Sequence, residues 1–152
     1  MEAGEQDIAV DLVLNVFNEF VAPQYPDEGI AEFKKYVNTE AVEKRFADGN
    51  IILLAKDTGK AVGIIEMRNS SHISLLFVDK AYQCRSIARE LVRRAAAVCL
   101  ERNPQLKKIT VNSSPNAFDA YSSMGFSGER TAKTVNGIQF IPMELEINNN
   151  SG

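Results

Sequence analysis

An apolar run from Ile73 to Val78 passes through a short loop into a helical pattern that extends from Ser86 to Arg102. A buried strand feeding a long helix calls for a sheet with helices laid on it, not for an all-helical bundle. The helix has one broad apolar face, marked by Ile87, Leu91, Ala95, Val98 and Leu100, and Asn103-Pro104 ends it. Its first backbone N–H groups point back at the loop, so the junction is also a natural anion site.

The rest of the chain agrees with a mixed architecture. From Asp7 to Phe20 the residues Ile8, Leu12, Val13, Val16, Phe17 and Phe20 keep helical spacing, until Pro23 and Pro26. A second helical region carries Ile30, Phe33, Val37, Ala41, Val42 and Phe46, breaks near Asn38-Thr39 and stops at Asp48-Gly49-Asn50. Strands are expected at Ile51–Ala55 and Ala61–Met67, joined by the hairpin signal Asp57-Thr58-Gly59-Lys60. A polar turn, Asn69-Ser70-Ser71, precedes the Ile73–Val78 strand. A short strand at Lys108–Val111 and a short helix at Pro115–Met124 follow the long helix. Asn136-Gly137 marks a type I′ turn between two last strands, and residues 148–152 read as a disordered tail. The fold class is therefore α/β (α+β), a mixed sheet with helices, expected as a single domain over residues 1–147.

Composition narrows the function. The 152 residues carry 17 Lys+Arg against 20 Asp+Glu, a net charge of −3, which argues against nucleic acid or an anionic membrane as partner. A single histidine excludes a multi-histidine metal site, and no metal is expected. Cys84 and Cys99 cannot build a disulfide framework and fit a reducing compartment. No stretch reaches the ~20 apolar residues of a membrane span, and the start of the chain is acidic where a signal peptide is basic. A cytoplasmic protein, monomer or homodimer, is expected.

Two segments carry chemistry. The loop reads Gln83-Cys84-Arg85-Ser86-Ile87-Ala88-Arg89: small residues at Ser86 and Ala88 let an anion approach the backbone, while Arg85 and Arg89 add positive charge. The same residues also suit an ordinary helix start with Ser86 as cap. Downstream, Ser114-Pro115 opens a short helix and Gly125 closes it, leaving Tyr121 near its end as a functional or a merely amphipathic surface tyrosine.

Together, Gln83-Cys84-Arg85-Ser86-Ile87-Ala88 and Tyr121-Ser122-Ser123-Met124-Gly125-Phe126 resemble the two signatures of the GNAT superfamily of acyl-CoA-dependent N-acyltransferases. The first corresponds to its Gln/Arg-x-x-Gly-x-Gly/Ala loop, the second to its Tyr-x-x-x-Gly-Phe helix end. The resemblance covers roughly Asp7 to Ile147. It departs at Ser86, which stands where the first loop glycine belongs, and at Cys84.

The resemblance implies a mostly antiparallel sheet of six to seven strands flanked by about four helices, with the family's first strand short or missing. It implies acetyl-CoA as cosubstrate, lying where the Leu76–Val78 strand splays from the Lys108–Asn112 strand. Leu76, Phe77 and Val78 would pair with the pantetheine arm, and residues Gln83 to Arg89 (Cys84, Arg85, Ser86, Ile87 and Ala88 between them) would hold the pyrophosphate. Asn112 and Ser114 would also contact the cofactor. Tyr121 would protonate the leaving thiolate. For the base the candidates are Glu66, His72 or a water relay with no dedicated residue. The acceptor would be a primary amine of a small molecule or protein, walled by residues 23–49 and the last hairpin, where Tyr25, Phe33 and Tyr36 could line it and the acidic Asp27, Glu28 and Glu32 would suit a cation. The alternative is a non-catalytic module of the same fold that binds CoA or a protein partner through a degenerate loop.

Overall fold

In the computed structural model, the described residues are 1–2, 4–18, 26–83, 86–129, 131–135 and 138–147. The expectations for Phe20, Pro23, Tyr25, Cys84, Arg85, the Asn136-Gly137 turn and the 148–152 tail lie outside them. The chain runs α1 (Gln6–Val16), α2 (Asp27–Tyr36), α3 (Thr39–Ala47), β1 (Ile51–Asp57), β2 (Lys60–Arg68), β3 (His72–Val78), α4 (Ile87–Arg102), β4 (Lys108–Ser113), α5 (Phe118–Ser123), β5 (Lys133–Val135) and β6 (Ile138–Glu146). Among the described residues there are five α-helices and six strands, against an expectation of about four and six to seven. The extra helix arises at the Asn38-Thr39 break, where the Asn38 side chain accepts a hydrogen bond from the Ala41 N–H at 2.9 Å and caps α3.

Strand order is β1-β2-β3-β4-β6-β5, antiparallel except for the β3–β4 pair, which α4 connects. Thr58 and Gly59, both at positive φ, form the tight β1–β2 turn that the Thr-Gly pair signals. Every β2 residue from Ala61 to Met67 is buried, because the strand is covered on both faces. Ile52, Ile64 and Leu75 pack with α1 on one face; Ile51, Ile65 and Ile73 pack with α4 and α5 on the other. Gly63 brings the start of α4 close to the sheet, since a Cβ there would lie 3.0 Å from Ile87 Cγ2 and 3.1 Å from Leu91 Cδ1.

Two features open the sheet. The β2–β3 register slips between Glu66↔Leu75 and Met67↔Ile73, leaving Ser74 unpaired in a bulge. The slip sends Ile73 to the α4 face and Leu75 to the α1 face, although strict alternation would place both on one face. The second feature is the brevity of the β3–β4 ladder: the strands pair at His72↔Thr110 and Ile73↔Val111 and then part. From Ser74 to Val78 the edge of β3 facing β4 has no ladder partner among the described residues.

Candidate active site

The parting of β3 and β4 makes a cleft of about 850 Å³. Its walls are β3 from Ile73 to Val78, the end of β4 at Val111 and Asn112, the start of α4, and α5. Of the residues expected at a cofactor, Leu76, Phe77, Val78, Gln83, Ser86, Ile87, Ala88, Arg89, Asn112 and Ser114 all line it. Cys84 and Arg85 lie outside the described residues.

The approach to α4 is held by several side chains. After β3 the Asp79 N–H donates to Val62 O at 2.8 Å, and Asp79 Oδ1 accepts from the Ala81 N–H at 2.9 Å, starting a single 3₁₀ turn over Lys80–Tyr82. The Tyr82 hydroxyl donates to Asp57 Oδ2 at 2.6 Å, tying this turn to the β1–β2 hairpin. Gln83 turns back, its Nε2 donating to Val78 O at 3.1 Å. Ser86 adopts φ +62°, ψ +17°, the left-handed region where glycine is at ease, and its side chain makes no capping bond. The reading of Ser86 as an ordinary cap therefore gives way: the position asks for the backbone freedom that a loop glycine supplies.

On the opposite wall Ser114 precedes a 3₁₀ turn at Pro115–Ala117, which runs into α5, so the expected Pro115–Met124 helix is α-helical only from Phe118 to Ser123. Gly125, at φ +101°, closes the helix, and the Phe126 N–H returns to Tyr121 O at 3.1 Å. Tyr121 is 8% exposed, meets Phe126 edge-on with centroids 5.3 Å apart, and lines the cleft. Burial pushes its hydroxyl well above the usual phenol range. It is no surface tyrosine. Arg89 joins the two walls, with Nη2 donating to Ser123 O at 3.0 Å.

Neither expected base stands in this cleft. Glu66 is fully buried, with Oε2 accepting from Arg45 Nε at 2.7 Å and from Asn50 Nδ2 at 2.9 Å, and Oε1 accepting from Arg45 Nη2 at 3.1 Å. It alternates with Ile65 and Met67 along β2, and helices cover the face of the strand on which it lies. His72 lies 2.7 Å from Thr110 Oγ1 through Nδ1 and lines a second hollow of about 610 Å³ with Glu129 and Glu144, which adjoins the cleft at Val111 and Asn112. Burial, and then the charge of Arg68, lower its pKa. Sequence reasoning missed Arg45 as the partner of Glu66; 21 residues apart on different elements, they leave no local signal.

A sheet split between two parallel strands, with a helix start at one wall and a buried tyrosine at the other, is the architecture of an acyl-CoA N-acyltransferase. A family profile described as an acetyltransferase (GNAT) domain matches residues 21–147, and the chain belongs to that family. Among solved structures it is similar to a GCN5-related N-acetyltransferase from Rhodopseudomonas palustris (TM-score 0.81, 18% identity, covering 97% of this chain and 92% of that one). It is also similar to PaiA N-acetyltransferase from Thermoplasma acidophilum in complex with coenzyme A (TM-score 0.79, 16% identity, 97% and 96% covered). A spermidine N-acetyltransferase chimera of Vibrio cholerae and human sequences aligns with a TM-score of 0.63 at 16% identity, covering 96% and 92%. At such identities these likenesses show the fold. No curated protein matches the chain in sequence. Among the described residues no helix is long and apolar enough to cross a membrane.

Proposed function

We propose that this protein transfers an acetyl group from acetyl-CoA to a primary amine by direct attack within one ternary complex. The observation that carries this reading is the unpaired edge of β3 opening onto the start of α4, with Tyr121 across the gap. An extended pantetheine arm would add to that edge as a strand does, through the backbone of Leu76, Phe77 and Val78. The first N–H groups of α4 and the guanidinium of Arg89 would face the phosphates. A backbone N–H of β3 would hold the oxygen of the thioester carbonyl as negative charge develops there.

The neutral amine attacks that carbonyl carbon: a C–N bond forms, the C–S bond breaks, and the thiolate leaves. Tyr121, protonated in the resting site, gives its proton to the sulfur; water takes the proton shed by the amine and returns one to the tyrosine, so the phenol is regenerated. With Glu66 bound to Arg45 and His72 outside the cleft, a water relay is the reading we adopt for the base. Ser86 in the left-handed region favours one alternative, a CoA-binding module without turnover. Following thiol release from acetyl-CoA with a panel of amines distinguishes them: amine-dependent release supports transfer, and binding without release supports the module.

A further inference from the structure

The cleft reaches both faces of the sheet, and its two ends differ chemically. On the α4 face it is bounded by Ile87, Ala88, Arg89 and Tyr121, the end that suits an anionic cofactor. On the α1 face it is bounded by Val16, Phe17, Phe33 and Phe77. Phe17 and Phe33 stack with centroids 3.8 Å and planes 7° apart, and Phe33 meets Phe77 edge-on at 5.9 Å. Among the described residues lining the cleft there is no Asp, Glu, Lys or His, and Arg89 is the sole charged side chain. Asp27, Glu28 and Glu32 on α2, which would have suited a cation, do not line it.

From this wall we infer that the acceptor is a primary monoamine carried on an aromatic or branched apolar body, which rests against Phe33 and Phe77. The inference deepens the acetyltransferase reading and rests on it. A polyamine or an aminosugar would bring further ammonium groups against a lining that, among the described residues, offers no carboxylate to meet them, and an unpaired charge away from water is strongly disfavoured. The apolar surroundings act in the opposite sense on a single reacting amine. Desolvation lowers its pKa and raises the fraction that carries a free lone pair. An aromatic body can also meet Phe33 and Phe77 in the offset or edge-on geometries that rings prefer.

The test is the initial rate of thiol release from acetyl-CoA by the full chain with phenethylamine, isopentylamine, putrescine or spermidine. The expected kcat/KM for phenethylamine is at least about tenfold above that for spermidine. Equal or faster turnover with either polyamine would overturn the inference, as would no turnover with either apolar amine. Phe33→Leu keeps an apolar side chain on α2 and removes the ring; KM for phenethylamine should rise about fivefold while KM for acetyl-CoA stays put. An unchanged amine KM would remove Phe33 from the acceptor wall and overturn the assignment. Faster reaction with hexanoyl-CoA than with acetyl-CoA, and no discrimination among amines, would give the wall to the acyl chain instead. A melting curve with CoA separates the two levels of the argument. Stabilisation by CoA together with a polyamine preference overturns the acceptor class alone, whereas no stabilisation overturns the acetyltransferase reading with it.

Discussion

Arg45 grips Glu66 from two sides inside the fold: Nε donates to Oε2 at 2.7 Å and Nη2 to Oε1 at 3.1 Å, with Glu66 wholly buried. The same guanidinium lies 3.6 Å over the Tyr36 ring and donates through Nη1 to Tyr36 O at 2.7 Å. One side chain thus links the end of α2, the last turn of α3 and the buried strand β2. Removing one member of such a pair strands the other charge away from water. Arg45→Ala should lower unfolding free energy by about 3 kcal/mol in a urea titration. Glu66→Gln, in turn, should leave kcat of the folded enzyme within about twofold of the parent. Loss of the acidic limb of its pH–rate profile would return Glu66 to the role of base.

Ser86 sits at φ +62°, and its side chain makes no capping hydrogen bond to offset that strain at the helix start. Ser86→Gly should raise stability by about 1 kcal/mol, because the left-handed conformation is penalised in L-residues by roughly that amount. It should also tighten CoA binding in a calorimetric titration. Weaker binding by the glycine variant would mean that the Ser86 hydroxyl bonds the cofactor.

Tyr121 gives a kinetic signature. Tyr121→Phe retains the ring that packs on Phe126 and loses the proton offered to the leaving sulfur. Turnover should fall on the order of a hundredfold, with KM for acetyl-CoA within about twofold of the parent. Unchanged turnover would take Tyr121 out of the mechanism.

His72 predicts a pH dependence of stability. Its pKa in the folded protein is lowered, by burial first and by Arg68 second, below that of an unfolded histidine. The unfolded chain therefore binds the proton first, so stability rises with pH through the window below about 6.5 and is lost as pH falls through it. Melting temperature should drop between pH 7 and pH 5, and the drop should be smaller in His72→Gln. Equal slopes in parent and variant would contradict this.

The parts of the molecule that were legible in the sequence are those written locally. Thr58-Gly59 carries the backbone freedom of its turn, Asn38-Thr39 marks the break between α2 and α3, and Gly125-Phe126 closes α5 within five residues of Tyr121. The reach of the Leu76–Arg89 junction, from a buried strand into a helix start, was legible for the same reason. Two features were not. The bulge at Ser74, which sends Leu75 and Ile73 to opposite faces, comes from the β2–β3 register and has no mark in the residue pattern. The burial of Glu66 depends on helices from distant sequence covering β2, and its cation comes from α3. Alternation reports one strand's faces; what lies over them is a tertiary property.

The most direct test of the central claim is the melting temperature of the full chain titrated with CoA. A ligand present at about a hundredfold excess over its Kd stabilises the folded state by roughly 2.7 kcal/mol, a rise of about 5–10 °C for a domain of this size. A saturable rise of that order is expected, since the unpaired edge of β3 and the start of α4 form one continuous wall. An unchanged melting temperature at millimolar CoA would contradict the account.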